Sequence, residues 1–165
     1  MSGSPQRVTF VLPAYPRYPI GGYRVVYEYA NRLVARGHRV SVLQARRIPN
    51  RGPIPAGFRL GRLRRAAADL RDLVSKPAVR WMTVDERVRM LFAPNADEDH
   101  VPDGDAVVAT AWQTAECVAR YASDKGRGYY LIQGVEYLFQ HTDGSDPITP
   151  RVEATWRLPL KKVAV

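Results

Sequence analysis

The stretch Val8–Leu43 reads VTFVLPAYPRYPIGGYRVVYEYANRLVARGHRVSVL, and its reading decides the fold. Val8, Phe10, Val11 and Leu12 form an apolar run too short for a helix and rich in strand formers. The segment from Pro13 to Pro19 breaks it, because proline fixes φ and cannot donate to a strand ladder. Gly21-Gly22 then opens a long amphipathic helix. Tyr23, Val26, Tyr27, Ala30, Leu33 and Val34 recur at i, i+3 and i+4, which places them on one face. Glu28 and Arg32 form a favourable i,i+4 pair on another. Gly37 is positioned to stop the helix as a C′ residue, and Val40, Val42 and Leu43 begin a second strand. The unit is strand, loop, helix, strand. Backbone amides at the helix start, beside Gly21 and Gly22, can hold an anion.

Working outward, 165 residues predict one domain with room for a substantial core. Residues 1–7 are polar, so no signal peptide is expected, and no run approaches the roughly 20 apolar residues of a membrane span. A lone Cys117 gives no disulfide framework, which fits a reducing compartment such as the cytoplasm. His38, His100 and His141 share no ligand spacing, so no metal is expected. The formal net charge is +9, and Arg46–Arg65 holds seven arginines and no acid. Such a patch attracts polyanions: nucleic acid, anionic lipid head groups or phosphorylated substrates.

The chain in order predicts a first strand over Arg7–Leu12, a helix over Gly22–Arg36 and a second strand over Arg39–Gln44. A Pro/Gly loop spans Arg46–Gly57. Leu60, Leu63, Ala67, Leu70 and Val74 mark a second amphipathic helix, ended by Pro77. Its other face carries Arg62, Arg64, Arg65 and Arg71, either as a solvated face or as one lying on an anionic membrane surface. A third strand is expected over Val84–Phe92, and Asn95–Asp105 is a loop. Ala106–Ala109 is a fully apolar strand, as in a sheet covered on both faces. Thr114 is the expected N-cap of the next helix, with Ala115, Val118, Ala119 and Ala122 as its buried stripe and Gly126 and Gly128 as its stop. Cys117 reads as a core thiol within it. Tyr129–Ile132 is another strand, residues 141–148 a polar loop, and Thr149-Pro150 the start of a short helix that Pro159 ends. Lys161–Val165 reads as the onset of a further strand, from which more chain beyond Val165 is expected. The alternation gives an α/β, Rossmann-like parallel sheet with helices on both faces. Ligands of such sheets sit beyond the carboxyl ends of the strands.

The glycine loop is not a dinucleotide fingerprint. G-x-G-x-x-G is absent, and Gln44 stands where an acid would hold a ribose. No G-K-[ST] follows, and no G-x-S-x-G elbow is present. A tight turn and a phosphate site at Gly21-Gly22 both remain open. Trp112, after an apolar strand, can stack on a sugar or base, or plug the end of the sheet. Glu136 can act as a base or bind sugar hydroxyls, or be a solvated loop carboxylate. Tyr15, Arg17 and Tyr18 are candidates for a substrate wall.

The pattern VTFVLPAYP…PIGGYRVVYEYANRLVARGHRVSVL resembles the start of GT-B glycosyltransferases, especially the family 4 group, with its strand, G-G loop, A-x-x-L helix and R-G-H-x-V. DAVVATAWQTA and YYLIQGVE resemble later strands of a rhamnosyltransferase-like subgroup. The resemblance covers nearly the whole chain and makes it one half of a GT-B fold, the N-terminal acceptor-side domain. It implies sugar transfer from a nucleotide-sugar donor to a glycan or lipid-linked acceptor, without a required metal or other cofactor. Gly21, Gly22 and Tyr23 would meet the donor diphosphate. Tyr15, Arg17, Trp112, Thr114, Gln133 and Glu136 would face acceptor or sugar, and His38 would be structural. Many members place a histidine after the fifth strand. Gln133-Gly134-Val135-Glu136 stands there instead, leaving Glu136 as the candidate catalytic group. The donor-side domain with its E-x7-E motif has no counterpart here, so the chain alone is expected to be inactive. The charge of Arg46–Arg65 adds the expectation of a peripheral site at the inner face of the cytoplasmic membrane.

The rival is a stand-alone anion- or nucleic-acid-binding module without catalysis. No helix-turn-helix, RRM, KH or zinc-finger pattern supports a nucleic-acid partner. A structural partner subunit with a vestigial cleft is a third reading.

Overall fold

A computed structural model describes residues 4–15, 18–46, 48, 79–134 and 148–165 of the chain. Among the described residues six strands form one parallel sheet: β1 (Arg7–Leu12), β2 (Arg39–Ala45), β3 (Arg89–Ala93), β4 (Ala106–Ala109), β5 (Arg127–Ile132) and β6 (Lys161–Ala164). Their spatial order is β3-β2-β1-β4-β5-β6. Three α-helices accompany them among the described residues: α1 (Gly21–Ala35), α2 (Trp112–Val118) and α3 (Ile148–Thr155). This is an α/β, Rossmann-like fold. The chain runs outward from β1 to β3, returns to lay β4 beside β1, and runs outward again, so β1 and β4 diverge at the switch point of the sheet.

The period-2 alternation of each strand sorts its side chains onto two faces. Phe10, Leu12, Val40, Val42 and Leu131 face α1, which buries Tyr23, Val26, Tyr27, Ala30 and Val34 against them. Val11, Leu43, Ala93, Val107, Ala109 and Tyr130 face the other way, against Ala115, Cys117 and Val118 of α2. Val107 and Val108 thus serve opposite cores, which is why β4 is apolar at every position. α1 ends in a Schellman arrangement. Gly37 takes φ +87° and donates to Val34 O at 3.0 Å, while the His38 amide donates to Leu33 O at 3.1 Å.

Several sequence expectations shift. β3 begins at Arg89 rather than Val84, because Asp85 starts a turn. The Asp85 carboxylate accepts the Arg87 amide at 3.0 Å, and its carbonyl accepts the Val88 amide at 2.9 Å. α2 begins at Trp112, with extended Ala111 as its N-cap. Thr114 is therefore not the cap but caps from inside the first turn. α2 also stops at Val118, so Ala122 lies beyond it and is exposed. Gly126 and Gly128 do not end that helix: Gly126, at φ +94°, turns the chain into β5, and Gly128 lies within β5. α3 includes Thr149 and Pro150 in its first turn, where a missing N–H costs nothing. It ends at Thr155, before Pro159, through tighter i→i−3 bonds from Trp156, Arg157 and Leu158. The expected helix over Leu60–Val74, the Arg46–Gly57 loop apart from Arg46 and Ile48, and the 141–147 loop lie outside the described residues. No described helix is long and apolar enough to cross a membrane.

Candidate functional site

The cleft forms where β1 and β4 diverge. Leaving β1, the chain reaches α1 through Ile20, which is extended (φ −124°, ψ 128°) and lacks a capping side chain. The first turn of a helix has no carbonyls of its own to satisfy its amides. Here Arg24 bonds back to Ile20 O at 3.0 Å, and among the described residues no side chain caps the amides of Gly21, Gly22 and Tyr23. This end of α1 borders a cavity of about 540 Å³ whose wall includes Leu12, Pro13, Gly22, Thr110, Ala111 and Gln133. Gln133 follows β5 and crosses toward the helix. A Cβ on Gly22 would meet its Oε1 at 3.3 Å, so any side chain there would press the Gln133 amide aside by a few tenths of an ångström. Gln133 Nε2 donates to Thr110 O at 3.5 Å, while Oε1 is buried and unpaired among the described residues. A carbonyl oxygen turned toward a helix start gains from the positive end of its dipole.

No described residue lining this cavity carries a charge at neutral pH. Tyr23 reinforces the point: burial pushes its phenol up to about 12, against a smaller opposing effect of its bond to the Ala14 backbone. The positive potential on the described lining therefore comes from the backbone amides at the start of α1. Among the described residues the lining carries no carboxylate, imidazole, amine or thiol; its hydroxyls are those of Tyr23 and Thr110. Chemically, the arrangement can hold and orient a negatively charged group at the start of α1.

The structure distributes the predicted site residues unevenly. Gly21, Gly22, Tyr23 and Gln133 converge on the cavity. Tyr15 folds away onto the end of β3, its hydroxyl donating to Ala93 O at 3.4 Å and its ring edge-on to Phe92 at 5.5 Å. Thr114 is wholly buried behind the wall. Its Oγ1 accepts the amides of Thr110 and Ala111 at 2.9 and 3.0 Å and donates to Ala111 O at 2.8 Å. Trp112 is 1 % exposed, and the Arg151 guanidinium lies 4.8 Å from its ring centroid. His38 Nδ1 accepts the Gln6 amide at 3.1 Å, at the opposite end of the sheet. Arg17, Glu136 and all of the Arg46–Arg65 stretch except Arg46 and Ile48 lie outside the described residues. Among those described, no cluster of three or more His, Cys, Asp or Glu side chains is arranged to hold a metal.

Sequence reasoning missed two parts of the site. Thr110 braces the switch point, its Oγ1 donating to Val11 O at 2.7 Å and so linking β4 to β1. Its place just past the carboxyl end of β4 puts it on the side where a ligand is expected, but no local pattern shows the bond. Beside the cleft, a groove of about 810 Å³ shares Ile20 and Gly21 with it and continues along α1 past Arg24, Glu28 and Trp81. Asn31 holds its far wall, donating to Thr83 O at 3.0 Å and accepting the Asp85 amide at 2.9 Å. These are contacts over fifty residues of sequence, invisible to any local periodicity.

No protein-family model matches the chain, and no curated protein matches it either.

Proposed function

We propose that the chain is the N-terminal, acceptor-side half of a glycosyltransferase cleft, which moves a sugar from a nucleotide-sugar donor to a glycan or lipid-linked acceptor. The observation that carries this reading is the start of α1 at the β1/β4 switch point, uncapped among the described residues, with Gly22 close against Gln133. Breaking a sugar–phosphate bond develops negative charge on the leaving diphosphate, and helix N-terminal amides stabilise such charge. The neutral lining fits the same role. A half-site that positions an anion leaves its cations and its catalytic groups to a second domain across the cleft. The resemblance of the Val8–Leu43 pattern to the opening of GT-B enzymes supplies the substrate class.

Titration of the ¹⁵N-labelled chain with pyrophosphate and with nucleoside diphosphates tests the reading. The amides of Gly21, Gly22 and Tyr23 are expected to shift saturably, and Gly22→Val, whose branched side chain intrudes on Gln133, is expected to abolish the response with the fold retained. A chain whose Gly21–Tyr23 amides ignore every diphosphate has no such site. The same chain is expected to show no turnover of nucleotide sugars; measured transfer would mean that the cleft is complete without a second domain.

A further inference from the structure

At the opposite pole of the sheet, the amino ends of β1, β2 and β3 frame a second groove, of about 540 Å³, lined by Arg7, Arg39, Arg87, Arg89, His38 and Ser41 among others. The register explains the crowding of arginines. Arg7 pairs with Arg39 across β1 and β2, and Ser41 pairs with Arg89 across β2 and β3. Register partners share a face, and so do residues two apart. Arg7, Arg39 and Arg89 therefore start on one face, with the Cα atoms of Arg39 and Arg89 about 8 Å apart by strand geometry.

Three acids of this pole are already committed. Asp105 takes the Arg7 guanidinium with both oxygens, at 3.3 and 3.0 Å, and the Arg7 amide at 2.7 Å. Asp85 takes Arg87 in the same way, at 2.9 and 2.7 Å. Asp103 takes Lys125 Nζ at 2.8 Å. Arg39 and Arg89 are left with no ionic partner among the described residues. Two like charges inside about one Debye length repel unless an anion lies between them. The groove also holds a neutral donor. His38 Nδ1 accepts the Gln6 amide, which puts the ring proton on Nε2.

We propose that this groove binds a small soluble phosphate-bearing molecule, with Arg39 and Arg89 as its paired cationic ligands. Guanidinium groups suit this role because their fork of donors matches phosphate oxygens two at a time. A lipid surface fits poorly. The large apolar side chains most exposed on the described residues are Tyr18, Ile20, Tyr29, Val163 and Val165, none of which lines the groove. Asp85, Asp103 and Asp105 around it oppose a broad polyanion while leaving the space between Arg39 and Arg89 positive. The site is separate from the cleft of the proposed function and stands or falls without it.

The ¹⁵N-labelled chain is titrated with pyrophosphate at 150 mM salt, in parallel with phosphatidylglycerol-containing vesicles. Saturable shifts are expected at Gly37–Ser41 and at Arg89, with vesicles silent there. Arg39→Gln/Arg89→Gln is expected to weaken this response at least tenfold. Ser41→Glu, which supplies an acid from within, is expected to do the same and carries the test if the double variant does not fold. Shifts confined to Gly21–Tyr23 overturn the groove and leave the cleft standing. Shifts here alone overturn the cleft and leave the groove. A response to vesicles without one to pyrophosphate, a drift that never saturates, or full affinity in both variants overturns the proposal.

Discussion

Arg151 lies over the face of Trp112, 4.8 Å from the ring centroid, while its fork grips Glu116 at 2.7 and 2.6 Å. The three residues tie the first turn of α3 to α2, and α2 starts at the wall of the cleft. Both partners of the ion pair are about three-quarters covered, so solvent screens them less than a surface pair. Arg151→Ala removes two charge-assisted hydrogen bonds and a cation–π contact, and is expected to cost about 1–2 kcal/mol. Arg151→Lys keeps the charge but loses the fork, and is expected to cost roughly half as much. Urea midpoints at constant m-value measure both. If Ala and Lys behave alike, charge rather than geometry holds the contact.

Gly37 and Gly126 have nearly the same φ, +87° and +94°, and very different surroundings. A Cβ on Gly37 meets nothing within 4 Å, so Gly37→Ala carries only the conformational penalty of the left-handed region, about 1 kcal/mol. A Cβ on Gly126 lands 2.6 Å from Ala106 N and 2.6 Å from Asp105 C, both backbone atoms at the entry to β4. Gly126→Ala must therefore move a strand, and is expected to cost more than about 3 kcal/mol or to prevent folding. Thermal melts of the two variants side by side separate strain from collision. Equal losses would mean that β4 yields without cost.

How far the chain could be read in advance depends on range. The Schellman turn at Gly37, the apolar β4 and the strand at Lys161 follow from patterns a few residues long, and they lie where those patterns put them. The start of α2 does not, because Thr114 looks like an N-cap by type. Only the bonds that its hydroxyl oxygen accepts from the Thr110 and Ala111 amides reveal that the helix has already begun. Gly21 and Gly22 could be suspected of holding an anion from their place before a helix. That Gln133 leans on Gly22 required β5 to lie two strands from β1. The arginine groove was the least legible part. Arg7, Arg39 and Arg89 lie up to 82 positions apart (89 − 7) and meet only through parallel register.

Thr114 is the side chain whose loss should most clearly uncouple the cleft wall from the sheet. It is fully buried, and its oxygen accepts two amides and donates to a carbonyl. Thr114→Val keeps the shape and strands both amides, so it is expected to cost about 2–3 kcal/mol. Thr114→Ser keeps the oxygen and loses a methyl, for about 1 kcal/mol. Amide exchange at Thr110 and Ala111 is the sharper readout. It should accelerate in the valine variant and stay slow in the serine variant. Acceleration in both would make packing, rather than the hydroxyl, the cause.

Stability should fall at both ends of the pH scale, for different reasons. The side-chain hydrogen bond from the Arg87 guanidinium, helped by the Arg87 amide, holds Asp85 at about 2. Asp105 is lowered first by its hydrogen bond from the Arg7 side chain, and Asp103 by that from Lys125. A carboxyl depressed in the folded state binds its proton more readily unfolded, so its contribution is complete above about pH 4 and is lost as pH falls toward 2. These groups sit at the surface, so the acid loss should shrink in high salt. At the alkaline end, Tyr23 is raised by burial to about 12. Its unfolded phenol ionises near 10, so stability should hold below pH 10 and decline as pH rises from 10 to 12, by about 2–3 kcal/mol from this group. Tyr27 and Tyr121 are raised by burial as well and steepen the fall. Tyr23→Phe removes the ionisable group while keeping the ring. Its urea midpoint should therefore decline less than that of the parent between pH 10 and 12 and run parallel to it below pH 9. Parallel curves throughout would show that the Tyr23 phenol titrates alike folded and unfolded, and that the loop over Ala14 leaves it open to water.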